Sequence, residues 1–320
     1  MTSVEVERIE HFIPSSDGSS LLRVLLWIPY LDERELSGVV QLVHGMEEHI
    51  ERYDEFTRFL AQQGFVVGAH DHVGHGKSVS DARDLGHITL DHGAEVLVTD
   101  VERVRQALFE SFNGLPYFIF GHSMGSFVTR VYLSRYGQGV SGAIICGTGN
   151  QPLALARGGN LLARAIGAVR GGHFKSKLID SMGAGGFGKA IEDARTPLDW
   201  ISVDPAVVDA YIDDPLCGVM FSVGGYAALT DIVSQAVNPR VAARIPHDLP
   251  LLFIAGAEDP VGEQGEAVVR AVELYRTAGV RDVSLILYPG MRHEILNEPG
   301  KQGVYEDVLA WIRGCLEEGR

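Results

Sequence analysis

Five consecutive residues, Gly121-His122-Ser123-Met124-Gly125, set a hydroxyl inside a G-x-S-x-G pattern. An apolar run, "PYFIF", precedes the pattern and a helix-like run, "SFVTRVYLSRYG", follows it. A strand that turns this sharply into a helix lifts the serine out of the backbone and exposes its oxygen. Side chains two positions either side would collide, and Gly121 and Gly125 remove that collision. The helix behind points its first amides at the reacting centre, where negative charge develops during attack on a carbonyl. A serine hydroxyl also needs a base, and the base needs a third group to orient it. Downstream, "LPLLFIAG" leads into "AEDPVG", which offers Asp259, with Glu258 as the weaker choice of acid. "VSLILYPG" leads into "MRHEIL", which offers His293. The order serine, acid, histidine, each after a strand, is the order this architecture requires. Two backbone N–H groups must hold the oxyanion. Met124 supplies one, and Met46, in the loop after "VVQLVHG", supplies the other, with Gly45 letting the backbone approach closely.

A second stretch competes for attention. "AHDHVGHGKS" holds His70, His72 and His75 within six positions and ends like a phosphate-binding loop. That loop needs G-x-x-x-x-G-K-[ST], and the place of its first glycine is taken by Asp71. A metal site would need partners from elsewhere, and His122 and His293 are already committed. The stretch is therefore expected to be scaffolding, with Asp71 and the histidines bonding neighbouring loops.

The surrounding elements alternate. Strand-like runs end at Tyr30, Gly45, Asp71, Gly121, Gly147, Gly256 and Gly290, with helical runs of 10 to 15 residues between several of them. This predicts a mostly parallel sheet with helices on both faces. The alternation stops between residues 150 and 247, where glycine is dense and helical pieces replace strands. We expect a core of residues 1–149 and 248–320 interrupted by a helical insertion, 150–247. Within the insertion, "NLLARAIGAVR" aligns Leu161, Leu162, Ala165, Ile166 and Val169 on one stripe. Packing of that stripe on the core is the expectation, ahead of contact with a lipid interface or an acyl tunnel.

Forty-two acidic residues against 27 basic ones give a net charge of −15 among 320 residues, which disfavours a nucleic-acid partner. The three cysteines, Cys146, Cys217 and Cys315, form no C-x-x-C pair and suit a reducing compartment. With no basic-then-apolar leader and no membrane-length apolar run, a cytoplasmic location is expected, with room for peripheral contact at membranes. The oligomeric state is left open.

Taken together, "HGMEEHIERY", "AHDHVGHGKS", "GHSMGS", "EDPVG" and "RHEILNE" resemble, in order and spacing, the monoacylglycerol lipase and lysophospholipase group of α/β-hydrolases. That group overlaps the serine aminopeptidase-like hydrolases. The resemblance covers residues 39–147 and 249–316. It implies the α/β-hydrolase fold, a triad of Ser123, Asp259 and His293, an oxyanion hole at Met46 and Met124, and a helical cap or lid over residues 150–247. It further implies a small lipid ester as substrate, monoacylglycerol or lysophospholipid first, cleaved through an acyl-enzyme on Ser123. Neither a cofactor nor a metal is called for. An aminopeptidase on the same fold is the alternative, with Glu192, Asp193, Asp213 and Asp214 as the acids available to hold an amine. A non-catalytic binding protein is a third reading.

Overall fold

The computed structural model describes residues 4–318. Eight strands form one sheet: β1 (Val6–Pro14), β2 (Leu21–Pro29), β3 (Gly38–Val43), β4 (Phe65–His70), β5 (Tyr117–His122), β6 (Gly142–Cys146), β7 (Leu251–Gly256) and β8 (Val283–Tyr288). Their order is β1-β2-β4-β3-β5-β6-β7-β8. The pairs β1/β2 and β2/β4 are antiparallel, and every later pairing is parallel. This is the α/β-hydrolase fold. Strand β1 is the one strand not singled out from its sequence. Most of its side chains are exposed, so its apolar residues give little alternation to read.

The helices are α1 (Asp54–Gln62), α2 (Gly93–Ser111), α3 (Met124–Tyr136), α4 (Leu153–Arg170), α5 (Lys177–Met182), α6 (Ala184–Phe187), α7 (Pro205–Asp213), α8 (Val223–Ala236), α9 (Pro239–Ala242), α10 (Glu266–Thr277) and α11 (Lys301–Glu318). The twofold alternation of a strand sorts them into two layers. On β5, Phe118 and Phe120 face one side and pack with Phe56 and Leu60 of α1 and Val308 and Ile312 of α11. Ile119 faces the other side, among Val101 of α2, Val128 of α3 and Val272 of α10. Both faces of the central strands are thus buried, which is why they read as continuous apolar runs.

Neighbours of β3 lie on both sides, β4 and β5, and the chain leaves in opposite directions across it. The loops after β3 and β5 therefore open a crevice at the carboxyl ends of the strands, where open α/β sheets place their sites.

Helices α4 to α9 lie between β6 and β7, and no strand occurs there among the described residues. α4 packs on α8 through small residues: Ala156, Ala163 and Gly167 are its buried positions. A Cβ on Gly167 would come within 2.8 Å of the Leu90 side chain and 3.3 Å of that of Val223, so the helix sits close against both. The expectation that the Leu161–Val169 stripe packs on the core holds for Leu162 and Ile166 and is corrected for the rest. Leu162 and Ile166 are half-buried, whereas Leu161 and Val169 are 72% and 81% exposed. The small residues one helical step away win the contact because they let the helix axes come closer.

Candidate active site

Ser123 sits between the last residue of β5 and the first of α3, at φ 52° and ψ −121°. This left-handed, strained conformation is what the elbow demands of a non-glycine residue. A Cβ on Gly121 would fall 2.5 Å from the Gly125 carbonyl oxygen, and one on Gly125 only 2.1 Å from that of Val43. Both glycines are therefore required by close backbone approach. Gly45 is required too, since its Cβ would lie 2.9 Å from that of Ser123.

His293, in the loop after β8, reaches across to the serine: its Nε2 is 2.8 Å from Ser123 Oγ. Its Nδ1 lies 2.9 Å from Asp259 Oδ2, in the loop after β7. With Nδ1–H donating to the carboxylate, Nε2 is left to accept the hydroxyl proton. Asp259 is fully buried, and its other oxygen accepts the Val261 amide at 2.9 Å. Glu258 is exposed and does not meet His293. The two loops are drawn together at Gly256, where a Cβ would meet the Met291 and Arg292 carbonyl oxygens at 2.2 and 2.1 Å.

The amides of Met124 and Met46 flank the serine, one opening α3 and the other following Gly45. Among the described residues neither donates to a protein acceptor. A serine activated by an oriented imidazole, beside one free amide at a helix N-terminus and another in the loop after β3, can attack an acyl carbonyl and hold the resulting oxyanion.

The family model for "Serine aminopeptidase, S33" matches residues 34–300. The chain belongs to this family. Among its members' relatives, a monoacylglycerol lipase of Mycolicibacterium smegmatis is 30% identical over 97% of this chain and 98% of its own length. The human monoglyceride lipase is 24% identical over 97% and 92%. Among solved structures, a thermostable carboxyl esterase from Bacillus coagulans superposes with a TM-score of 0.89 at 30% identity, covering 98% of this chain and all of that one. This S33-family chain is a carboxylic ester hydrolase, and the aminopeptidase alternative is not favoured. The acids weighed for holding an amine do not form a cluster: Glu192, Asp193 and Asp213 are exposed, and Asp214 accepts from His49 at 2.9 Å.

Behind the serine lies a buried polar network in which Glu48, Arg52 and Tyr53 were quoted in the motifs but given no role. Glu48 accepts from the Gly45 amide (2.6 Å), the Tyr53 hydroxyl (2.7 Å) and Arg52 Nη1 (3.2 Å), and it lies 3.2 Å from His122 Nδ1. The His122 imidazole and these bonds hold the Glu48 carboxyl at about 2, against the burial that would raise it. Burial works against a charge on His122, yet the Glu48 carboxylate raises its pKa above the usual histidine value. His122 Nε2 reaches the His293 carbonyl at 3.3 Å. His122, expected only as support for the elbow, thus links the loop of Gly45 to the loop of His293. Arg52 extends the link by gripping both oxygens of Glu294.

Residue 200 was not foreseen. The Trp200 ring stacks obliquely on His293, with centroids 4.9 Å apart, and Arg292 donates to the Asp199 and Ser202 carbonyls at 2.6 and 3.1 Å. The histidine loop is thereby fastened to the inserted segment. Nothing in the local pattern of "TPLDWIS" marks this contact in advance.

The "AHDHVGHGKS" stretch forms the loop after β4. Asp71 accepts the Ile50 and Lys77 amides, both at 2.9 Å, and lies 3.5 Å from Arg23. His72 donates its backbone N–H to His44 Nε2 at 3.0 Å, and His75 Nδ1 donates to the Val73 carbonyl at 3.0 Å. His44 joins the cluster, its ring 4.4 Å from that of His72. Asp71 and His72 bond neighbouring loops as expected, whereas His75 bonds within its own loop and, among the described residues, neither ring nitrogen of His70 has a partner.

Proposed function

We propose that this chain hydrolyses monoacylglycerols and related esters with one apolar acyl chain, with Ser123 as nucleophile, His293 as base and Asp259 as its orienting acid. The observation that carries the reading is the pair of contacts made by one imidazole, 2.8 Å to Ser123 Oγ and 2.9 Å to Asp259 Oδ2. His293 takes the serine proton as the oxygen attacks the ester carbonyl. The amides of Met46 and Met124 hold the oxyanion, and His293 returns the proton to the leaving alcohol. Water then releases the acid by the same steps in reverse. The names of the rat, mouse and human relatives, monoglyceride lipases all, favour this substrate class.

Residues 150–247 act in this reading as a cap over the crevice, joined to it through Trp200 and Arg292. The cap also carries the surface suited to a lipid interface. Leu155, Leu161 and Val169 of α4 are exposed, as are Leu178 and Met182 of α5. Among them stand Arg157, Arg164, Arg170, Lys175 and Lys177, against Asp180 alone, in a chain that is otherwise acidic. No helix among the described residues is long and apolar enough to cross a membrane, so any contact would be peripheral.

The test is a chain-length series of glycerol monoesters and lysophosphatidyl esters, run beside aminoacyl anilides. Turnover confined to the esters and rising with acyl length is expected. Ser123→Ala should lower it by about 10⁴-fold or more and abolish labelling by a fluorophosphonate probe. Retained turnover in that variant would sink the assignment of Ser123, and preference for anilides would sink the substrate class.

A further inference from the structure

The loop after β3 and the loop after α7 meet at His49, Asp214 and Cys217. One donor atom of each, an imidazole nitrogen, a carboxylate oxygen and a thiol sulfur, lies within 4.8 Å of the other two. His49 and Cys217 are buried, at 5% and 7% exposure, and Asp214 is half-buried. We propose that these three side chains form a binding site for a divalent metal ion, zinc being the cation their chemistry fits, with water in the fourth position on the open side of Asp214. The site lies outside the triad, and ester hydrolysis does not call on it.

Three observations support the assignment. The donor set comes first. Zinc takes sulfur, imidazole nitrogen and carboxylate oxygen together, whereas magnesium and calcium do not take a thiolate. The spacing comes second. Bonds of about 2.0–2.3 Å in a tetrahedral site leave neighbouring ligands less than about 4 Å apart. His49 Nε2 and Asp214 Oδ2 are already at 2.9 Å, so modest side-chain rotations complete the set. His49 Nδ1 is buried and makes no hydrogen bond among the described residues, so no bond on that side of the ring resists the rotation. The charge comes third. Among the neighbouring charges, the Arg52 guanidinium acts most strongly on the Cys217 sulfur, and three carboxylates, Asp214, Glu48 and Glu294, act on it in the opposite sense. That guanidinium is itself engaged by Glu48 and Glu294.

Occupation has two physical consequences. Burial pushes the Cys217 thiol above its ordinary pKa. Zinc must displace that proton, so uptake releases one proton per ion and weakens as pH falls. The ligands also come from segments 165 residues apart, so the ion fastens the inserted helices to the loop that carries Met46 and Glu48. A ligand that binds only the folded chain raises its melting temperature.

The experiment uses the full chain, stripped with a chelator and titrated with zinc alone by calorimetry and with cobalt(II) by absorption. One ion per chain, a rise in Tm and a thiolate-to-cobalt charge-transfer band are expected. Cys217→Ser and Asp214→Asn should each weaken zinc binding at least tenfold, and Cys217→Ser should remove the band. Both metal-free variants should keep the Tm and esterase activity of the metal-free parent, which separates this proposal from the assignment of the triad. Equal zinc affinity in Cys217→Ser, or no cobalt band in the parent, would overturn it.

Discussion

Glu48 concentrates more of the site's order than either of its neighbours in sequence. Its two oxygens meet an amide, a hydroxyl, a guanidinium and an imidazole, all buried but the half-buried guanidinium. Replacing it with glutamine removes the buried carboxylate that raises the His122 pKa and that pairs with Arg52. Breaking a buried pair in this way costs about 3–5 kcal/mol, far more than the net worth of the pair itself. Glu48→Gln also weakens the hold on the Gly45 amide, and the Met46 amide follows Gly45 directly. We therefore expect a lower Tm together with a fall in kcat that exceeds any change in KM, because an oxyanion donor acts on the transition state. Unchanged kcat in a folded Glu48→Gln enzyme would disprove the link. At this scale the sequence was informative where chemistry and backbone geometry coincide. Ser123, Asp259, His293 and the elbow glycines follow from local rules about turns and strand ends. Glu48 and Trp200 do not, because their importance lies in contacts with residues 74 and 93 positions away.

Among the elements, the strands of the core were legible and the faces of the inserted helices were not. A parallel strand buried on both sides announces itself as an apolar run, as "YFIFGH" does. A helix announces its apolar stripe, but the stripe does not say what covers it. In α4 the fully buried positions are Ala156, Ala163 and Gly167, and Leu155, Leu161 and Val169 remain outside. The loop after β3 is tied to the same insertion at Glu47, a non-glycine residue at φ 57°. Its carbonyl accepts from Gly218 and from the Tyr211 hydroxyl, and burial raises its carboxyl to about 8. The exposed face of α4 is the part of the insertion still to be accounted for. Lipid-facing apolar side chains among basic ones should bind anionic vesicles more tightly than neutral ones. Sedimentation with phosphatidylglycerol and with phosphatidylcholine vesicles measures this directly. Leu161→Asp and Val169→Asp should each reduce binding several-fold while leaving hydrolysis of a short soluble ester unchanged. Equal binding by parent and variants would assign the face to something other than lipid.

Over the whole molecule, the histidine cluster makes a prediction about acid stability that the active site does not. His44, His70, His72 and His75 come from the loops after β3 and β4 and from β4 itself, and all four are buried. Burial, helped by mutual repulsion for His44 and His72, holds their pKa values below the usual 6.5: His70 near 3, His75 near 4, and His44 and His72 lower than an exposed histidine. Glu48 is the one carboxylate acting on His75, and it only partly offsets the burial. The sign follows from proton counting. Below pH 6.5 the unfolded chain takes up protons that the folded chain refuses, so stability is full above 6.5 and is lost as pH falls toward 4. Each such histidine contributes a slope of up to about 1.4 kcal/mol per pH unit. His122 does not steepen this slope, because its raised pKa leaves it protonated in both states below 6.5. Four buried histidines together remove several kcal/mol by about pH 5, a large share of the roughly 5–15 kcal/mol that holds a domain folded. His70 isolates the effect, since both of its ring nitrogens lack a hydrogen-bond partner and no bond is broken by its removal. His70→Leu should fold at pH 8 and show a shallower loss of stability between pH 6.5 and 5 by about one proton in urea titrations. Parallel slopes for parent and variant would mean that His70 is protonated in the folded chain, and that the cluster is not what acid attacks first.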